Sequence, residues 1–181
     1  MKIAMFMNDG FEDSEALVTR DLLIRAGLEV DTIALFETKD IISSHNLPIK
    51  VDYLLDDVRL SSYDVFILPG GKGSVHYYQS NSLSKELKQA LKEHKTICAI
   101  CAAPAYLAAI GLLKGYRATC YPSFEKELIE NDVTLVKDGV VVDDNIITAQ
   151  GMGVSFEFGL TIIKELISQN KMEDIAHSIC Y

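Results

Sequence analysis

The sequence predicts an α/β fold with a mostly parallel central sheet, because short apolar runs alternate with helix-period segments from end to end. Runs such as Val65-Phe66-Ile67-Leu68 are apolar at every position, as strands covered on both faces must be. The runs break at Asn8-Asp9-Gly10, Pro69-Gly70-Gly71 and Cys101-Ala102-Ala103-Pro104, compositions that turn a chain out of a sheet and into its next element.

Lys2 to Met7 reads as the first buried strand. Phe11 to Ala26 has helical spacing through Ala16, Leu17, Leu22, Leu23 and Ala26, and stops at Gly27, the residue type that closes helices in a left-handed conformation. Glu29 to Leu35 is the second strand, and Ile41 to Ser44 is expected to pair with Ile49 to Leu54 as a hairpin around His45-Asn46-Leu47-Pro48. Asp64 to Leu68 is a central strand. Leu83 to His94 is an amphipathic helix with Leu83, Leu87 and Leu91 on one face, and Thr96 to Ile100 is the next central strand. Ala105 to Ile110 reads as a short helix closing at Gly111, after Pro104. Strands near Arg117 to Cys120, Val133 to Val136, Val140 to Val142 and Ile146 to Thr148, with helices over Ser123 to Glu130 and Ser155 to Ser168, complete the pattern. With 181 residues and no linker, internal repeat or low-complexity tract, one domain over 1–181 is expected.

A composition of 49% hydrophobic and 24% charged residues excludes disordered, collagen-like and disulfide-scaffold classes. The net charge of -9, from 17 basic and 26 acidic residues, argues against a nucleic-acid partner, since phosphate backbones are bound by clustered Lys and Arg. No apolar run approaches the roughly 18 residues that span a bilayer. Met1 to Phe6 runs into Asp9, Glu12 and Asp13 rather than a signal-peptide core. No membrane partner is therefore expected, and a cytoplasmic location would keep Cys98, Cys101, Cys120 and Cys180 reduced.

Ligands of open parallel sheets bind beyond the carboxyl ends of the strands, which singles out the three breaks above. A cysteine at a sharp strand-to-helix turn has its sulfur exposed by the backbone, and the helix amino end stabilises a thiolate, lowering the free value of about 8.5. Cys101 stands at such a turn. The Ala102 amide, left unbonded there, and an amide of Gly70 or Gly71 would together hold an oxyanion. In a structural role the same cysteine would be a small buried hydrophobe. Glu15 shares a helix face with Ala16, Leu22 and Leu23 and is expected to point inward, where a carboxyl tends to keep its proton and can exchange it with a thiolate or substrate.

Cys98 and Cys101 spell C-x-x-C, but in an extended chain at ~3.3 Å per residue their Cα atoms would lie roughly 10 Å apart on opposite faces, beyond disulfide reach. No second cysteine pair completes a zinc site. His94 and His177 are expected in solvent, whereas His45 and His76 lie in loops that folding could bring to the site. Gly70-Gly71-Lys72-Gly73 lacks the Lys-Ser or Lys-Thr pair of a phosphate loop.

Four segments, Gly10-Phe11-Glu12-Asp13-Ser14-Glu15, Leu68-Pro69-Gly70-Gly71, Ala99-Ile100-Cys101-Ala102-Ala103-Pro104 and Thr148-Ala149-Gln150-Gly151-Met152-Gly153 with Phe156-Glu157-Phe158, together resemble the DJ-1/ThiJ/PfpI superfamily, specifically its DJ-1 branch, over nearly the whole chain. The resemblance implies a flavodoxin-like three-layer sandwich and a homodimer. It implies Cys101 as a nucleophile-elbow cysteine, Glu15 as its protonated partner, the Gly71 and Ala102 amides as oxyanion donors, and Arg25 as a contact to oxidised sulfur across the dimer. The chain departs from the pattern at four positions. Ala102 stands where the protease branch has a histidine, which disfavours a peptidase. Tyr121 replaces a histidine common before the proline matched by Pro122, Met152 replaces a proline, and His45 replaces a second sulfur-binding arginine. The implied activity is cofactor-free, metal-free chemistry on small dicarbonyls such as methylglyoxal, or on their protein adducts, of glutathione-independent glyoxalase or deglycase type. The alternative is a redox-sensing stress-response protein whose Cys101 is oxidised to sulfinate. A phosphate- or flavin-binding protein of the same topology is disfavoured, since the first loop lacks hydroxyl-rich composition.

Overall fold

The computed structural model describes residues 1–181. It contains strands β1 (Lys2–Phe6), β2 (Glu29–Ala34), β3 (Asp40–Ile42), β4 (Pro48–Lys50), β5 (Tyr53–Leu54), β6 (Val65–Leu68), β7 (Thr96–Ile100), β8 (Arg117–Ala118), β9 (Thr134–Leu135), β10 (Val140–Asp143) and β11 (Ile146–Ala149). The helices are α1 (Asp13–Arg25), α2 (Asn81–Lys92), α3 (Ala103–Ala109), α4 (Glu125–Glu130), α5 (Ser155–Leu166) and α6 (Gln169–Ser178). The main sheet has the order β10-β11-β7-β6-β1-β2-β5, and all its pairings are parallel except β10 with β11.

Because strand side chains alternate between faces, the central strands divide their apolar residues between two cores. Phe6, Phe66, Leu68, Ile97 and Ala99 pack with Leu83 and Leu87 of α2, Tyr106 of α3 and Leu128 of α4. Met5, Val65, Ile67, Cys98 and Ile100 pack on the other side with Ala16 of α1, Phe158 of α5 and Ile175 of α6. The result is the flavodoxin-like arrangement of helices on both faces of a mostly parallel sheet. No helix is long and apolar enough to cross a membrane.

Most boundaries shift by a residue or two, and three differences from expectation have a clear cause. The hairpin of β3 and β4 forms, but residues beyond Lys50 leave it and β5 pairs with the edge of β2. Asp52 causes the departure, since its carboxylate accepts from both the amide and the hydroxyl of Thr32. Helix α1 begins at Asp13 rather than Phe11, because Phe11 is buried and bridges Gly71 instead. Helix α6 carries no strong apolar period of its own. It is started by the Ser168 hydroxyl, which accepts from the Lys171 amide, and it buries Ile175 against the second core.

The chain runs from β1 out to β2 and β5, then returns to lay β6 on the other side of β1. This reversal opens a crevice at the carboxyl ends of β1 and β6, and everything described next surrounds it.

Candidate active site

Helix α1 buries Glu15, Ala16, Thr19, Leu22 and Leu23, a helical stripe whose first position is an acid. Helix α5 presses on that stripe at Gly159, where a β-carbon would lie 2.6 Å from Leu22 Cδ1. Glu15 is 1% exposed. Its Oε2 accepts the Gly70 amide at 2.8 Å, and its Oε1 has no hydrogen-bond partner. Burial pushes its pKa up to about 7, against the opposing pull of the Gly70 amide and the Cys101 thiol.

Cys101 follows β7 with φ of +64°, a left-handed conformation costing a non-glycine residue about 1–2 kcal/mol. The turn is held by its amide, which donates to Ala149 O at 3.0 Å, and by its carbonyl, which accepts Tyr121 N at 2.9 Å. Its partly exposed thiol faces the Glu15 carboxyl and the amides of Gly71 and Ala102, all of which act on its charge. Neither of those amides donates to a backbone carbonyl.

The thiol does not behave as the sequence leads one to expect. Burial, and next the Glu15 charge, push it up to about 12, outweighing the two amides. Burial, joined by the acid in the same pocket, reverses what a helix amino end alone would do. The two groups therefore act as a pair with one shared negative charge, and its first proton leaves near neutral pH.

The glycines of the second break are required by close approach. A β-carbon on Gly70 would lie 2.6 Å from Cys101 Cβ and 2.8 Å from Glu15 Oε2, and one on Gly71 would lie 2.5 Å from Glu12 N. Gly73 donates its amide to Gly10 O, so the glycine run knits two loops together rather than cradling a phosphate. Tyr77, which carries no sequence signal for a site, donates its hydroxyl within reach of Pro69 O at 2.7 Å and Phe6 O at 3.1 Å. It thereby ties the ends of β1 and β6 beneath the crevice. Gly151 stands in the fourth segment of the resemblance, but sequence reasoning assigned it no role at the site. A β-carbon there would lie 3.3 Å from Tyr121 Cδ2, 3.9 Å from Glu15 Oε1 and 4.0 Å from Cys101 Sγ. Beside it opens a cavity of about 210 Å³ lined by Tyr121, Pro122 and residues 150–154.

Other candidate residues lie elsewhere. The His45 Nδ1 bonds Asp13 Oδ2 at 2.8 Å and lies 3.8 Å from Glu12 Oε1; these acids, Asp13 first, raise its pKa. Glu12, Asp13 and His45 bring three possible metal-ligating atoms within 4.8 Å, an arrangement the ion pair accounts for. Arg25 pairs with Asp21 at 2.6 Å at the far end of α1, about 15 Å along the helix from Glu15 at 1.5 Å per residue. Within one chain it does not reach Cys101. His76 packs edge-on against Phe36. Cys98 is fully buried and both it and Cys101 are free thiols. They touch the same core rather than opposite faces, because the left-handed turn ends the extended chain at Ile100.

The sequence profile of the DJ-1/PfpI family matches residues 1–165. The chain is 36% identical over 165 residues to Protein DJ-1 homolog B of Arabidopsis thaliana, covering 90% of this chain but only 37% of that protein's length. It is 32% identical over 169 residues to a glutathione-independent glyoxalase of Caenorhabditis elegans, covering 93% and 90% of the two chains. A deglycase of Pyrococcus horikoshii is 31% identical over 150 residues, with 83% and 90% covered. Among solved structures, oxidized Toxoplasma gondii DJ-1 superposes with a TM-score of 0.94 at 31% identity over 99% and 98% of the two chains. Drosophila melanogaster DJ-1beta gives 0.93 at 34% identity over 99% and 97%.

Proposed function

The chain belongs to the DJ-1/PfpI family, and from that premise we propose that it is a cysteine-dependent enzyme acting on small reactive dicarbonyls or their protein adducts, in the manner of a glutathione-independent glyoxalase or a deglycase. The observation that carries this reading is the convergence on one partly exposed sulfur of a buried acid titrating at about 7 and two unpaired amides. A thiol that adds to an aldehyde must give up a proton, and the carbonyl oxygen it attacks must hold a developing negative charge. The site supplies a group for each.

Glu15, as the carboxylate, takes the thiol proton while the Cys101 sulfur bonds the aldehyde carbon of methylglyoxal. The Gly71 and Ala102 amides bind the resulting oxyanion, which takes the proton back from Glu15 to give the hemithioacetal and leaves Glu15 a carboxylate again. Glu15 then removes the hydrogen on that carbon as a proton and returns one to the neighbouring carbon. The former aldehyde becomes a thioester and the ketone an alcohol. Water hydrolyses the thioester, releasing lactate and restoring the thiol. A general acid–base with a pKa near the working pH is the most effective kind. Purified protein should convert methylglyoxal to lactate without glutathione. Cys101→Ser should reduce turnover to background, and Glu15→Gln should lower kcat about 10²–10⁴-fold. Unchanged activity in Cys101→Ser would sink the assignment.

A second reading is redox sensing through oxidation of Cys101 to sulfinate. Cys101 is favoured over the buried Cys98 and Cys120 by partial exposure, and over the exposed Cys180 by the Glu15 base and the two amides that stand beside it. Under mild peroxide, mass spectrometry should find Cys101 oxidised ahead of the other three thiols. Uniform oxidation speaks against it.

A further inference from the structure

The cavity beside Gly151 has the apolar and aromatic lining typical of ligand pockets and lies close to a carboxyl and a thiol. Its side chains are those of Tyr121, Pro122, Met152 and Val154, with Gln150, and no charged residue contributes. Tyr121 is 49% and Met152 60% exposed, so their apolar surface stands open beside the glycine that adjoins the reacting pair. The link between the two is Gly151. The one carbon this glycine omits would sit within 4.0 Å of Cys101 Sγ and 3.9 Å of Glu15 Oε1, and against the Tyr121 ring. Sulfur, carboxyl and ring thus surround one point at the edge of the cavity, where a β-carbon would crowd the Tyr121 ring. The Gly151 backbone is extended, with φ of 162°, so the conformation itself does not call for glycine.

We propose that this cavity is the subsite for the substituent on the ketone carbon of a 2-oxoaldehyde held by Cys101, and that it selects apolar, above all aromatic, substituents over small or charged ones. The inference rests on the reading that Cys101 adds to the aldehyde. With the oxyanion bound at the Gly71 and Ala102 amides and Glu15 on the carbon being isomerised, the substituent is the part of the substrate left to occupy remaining space. A charged group placed there would lose water without gaining a partner. A phenyl ring would cover Tyr121 and Met152, and thioether–aromatic and ring–ring contacts favour it further.

The test reads the subsite without relying on turnover. Cys101 is alkylated separately with 2-bromoacetophenone and with bromoacetone, each rate is followed at the Cys101 peptide by mass spectrometry, and each is divided by the same reagent's rate with N-acetylcysteine. The corrected aryl-to-methyl ratio should be about tenfold or more, the scale on which apolar pockets discriminate. Tyr121→Ala and the exposed-site change Met152→Ser should bring it close to one, and Gly151→Ala should lower it by pressing a methyl group against the Tyr121 ring. A corrected ratio of one or below in the unaltered protein, or a ratio indifferent to both Tyr121→Ala and Met152→Ser, overturns the proposal. Turnover of phenylglyoxal and methylglyoxal is measured in parallel. Failure to turn over either one rejects the catalytic reading while the alkylation ratio still decides the subsite.

Discussion

Once the Cys101–Glu15 pair loses its first proton, one negative charge is divided between sulfur and carboxylate. The reactive tautomer, thiolate beside neutral acid, has the same total charge as its partner, so both are populated together as pH rises. The rate of Cys101 alkylation should therefore rise with an inflection near the about 7 of Glu15, well below the about 12 that burial and charge impose on the thiol. In Glu15→Gln this near-neutral inflection should vanish, because no base remains beside the sulfur. An inflection that persists there assigns the titration to another group. The sequence made both residues visible, Cys101 by its place at a strand-to-helix break and Glu15 by its place on an apolar helix face. It did not reveal the direction of the thiol shift. That direction is the sum of burial, two amides and one acid brought from loops far apart in the chain, and a single residue's neighbours in sequence do not contain it.

At the scale of elements, the site depends on close contacts between loops. Gly70→Ala would drive a methyl group into Cys101 Cβ, Glu15 Oε2 and Ile100 O, and overpacking of this kind costs about 1–3 kcal/mol. Urea unfolding should show that loss together with slower Cys101 alkylation. The segment carrying Tyr121 is anchored by the Thr119 amide, which donates to the buried Thr148 hydroxyl of β11 at 3.0 Å. Thr148→Val leaves that amide without a partner, at a cost of about 1–3 kcal/mol, and should loosen the Tyr121 wall, seen as faster hydrogen exchange across residues 119–121. No change in exchange would mean that the segment is held by its other contacts. The central strands and α1, α2, α3 and α5 were legible because burial on a sheet writes its period into the sequence. Strands β8 and β9 were legible as elements, but their pairing with each other outside the main sheet, the two-residue pairing of β5 and helix α6 were not, since so short a pairing carries no period and α6 is held mainly by what it docks against.

For the whole molecule, the raised pKa of Glu15 is also a statement about stability. In the unfolded chain it ionises near 4.5 and in the folded one at about 7. Between those values the folded chain keeps a proton the unfolded chain has lost, so stability falls as pH rises through that window, by about 3 kcal/mol at most. His45, also raised, acts in the same direction, its contribution being present at low pH and lost as pH passes its folded value. The urea midpoint should therefore be lower at pH 8 than at pH 5, and Glu15→Gln should remove much of that difference and be the more stable protein at pH 8. An unaltered slope in Glu15→Gln places the effect elsewhere. We further propose that 1–181 unfolds as one domain, with far-ultraviolet circular dichroism and tyrosine fluorescence giving coincident transitions; separated transitions would divide it. The sequence by itself determined the central strands and the helices that cover them, where the chain breaks sharply, and which acid faces inward, because these follow from local sterics and from the period of burial. Only the tertiary structure decided that Glu15 meets Gly70 across 55 residues, that two amides and a carboxyl share one sulfur, that His45 turns to Asp13, and that an uncharged cavity opens beside Gly151. Such meetings depend on the order of strands in the sheet, and electrostatic fields add over everything that order brings together.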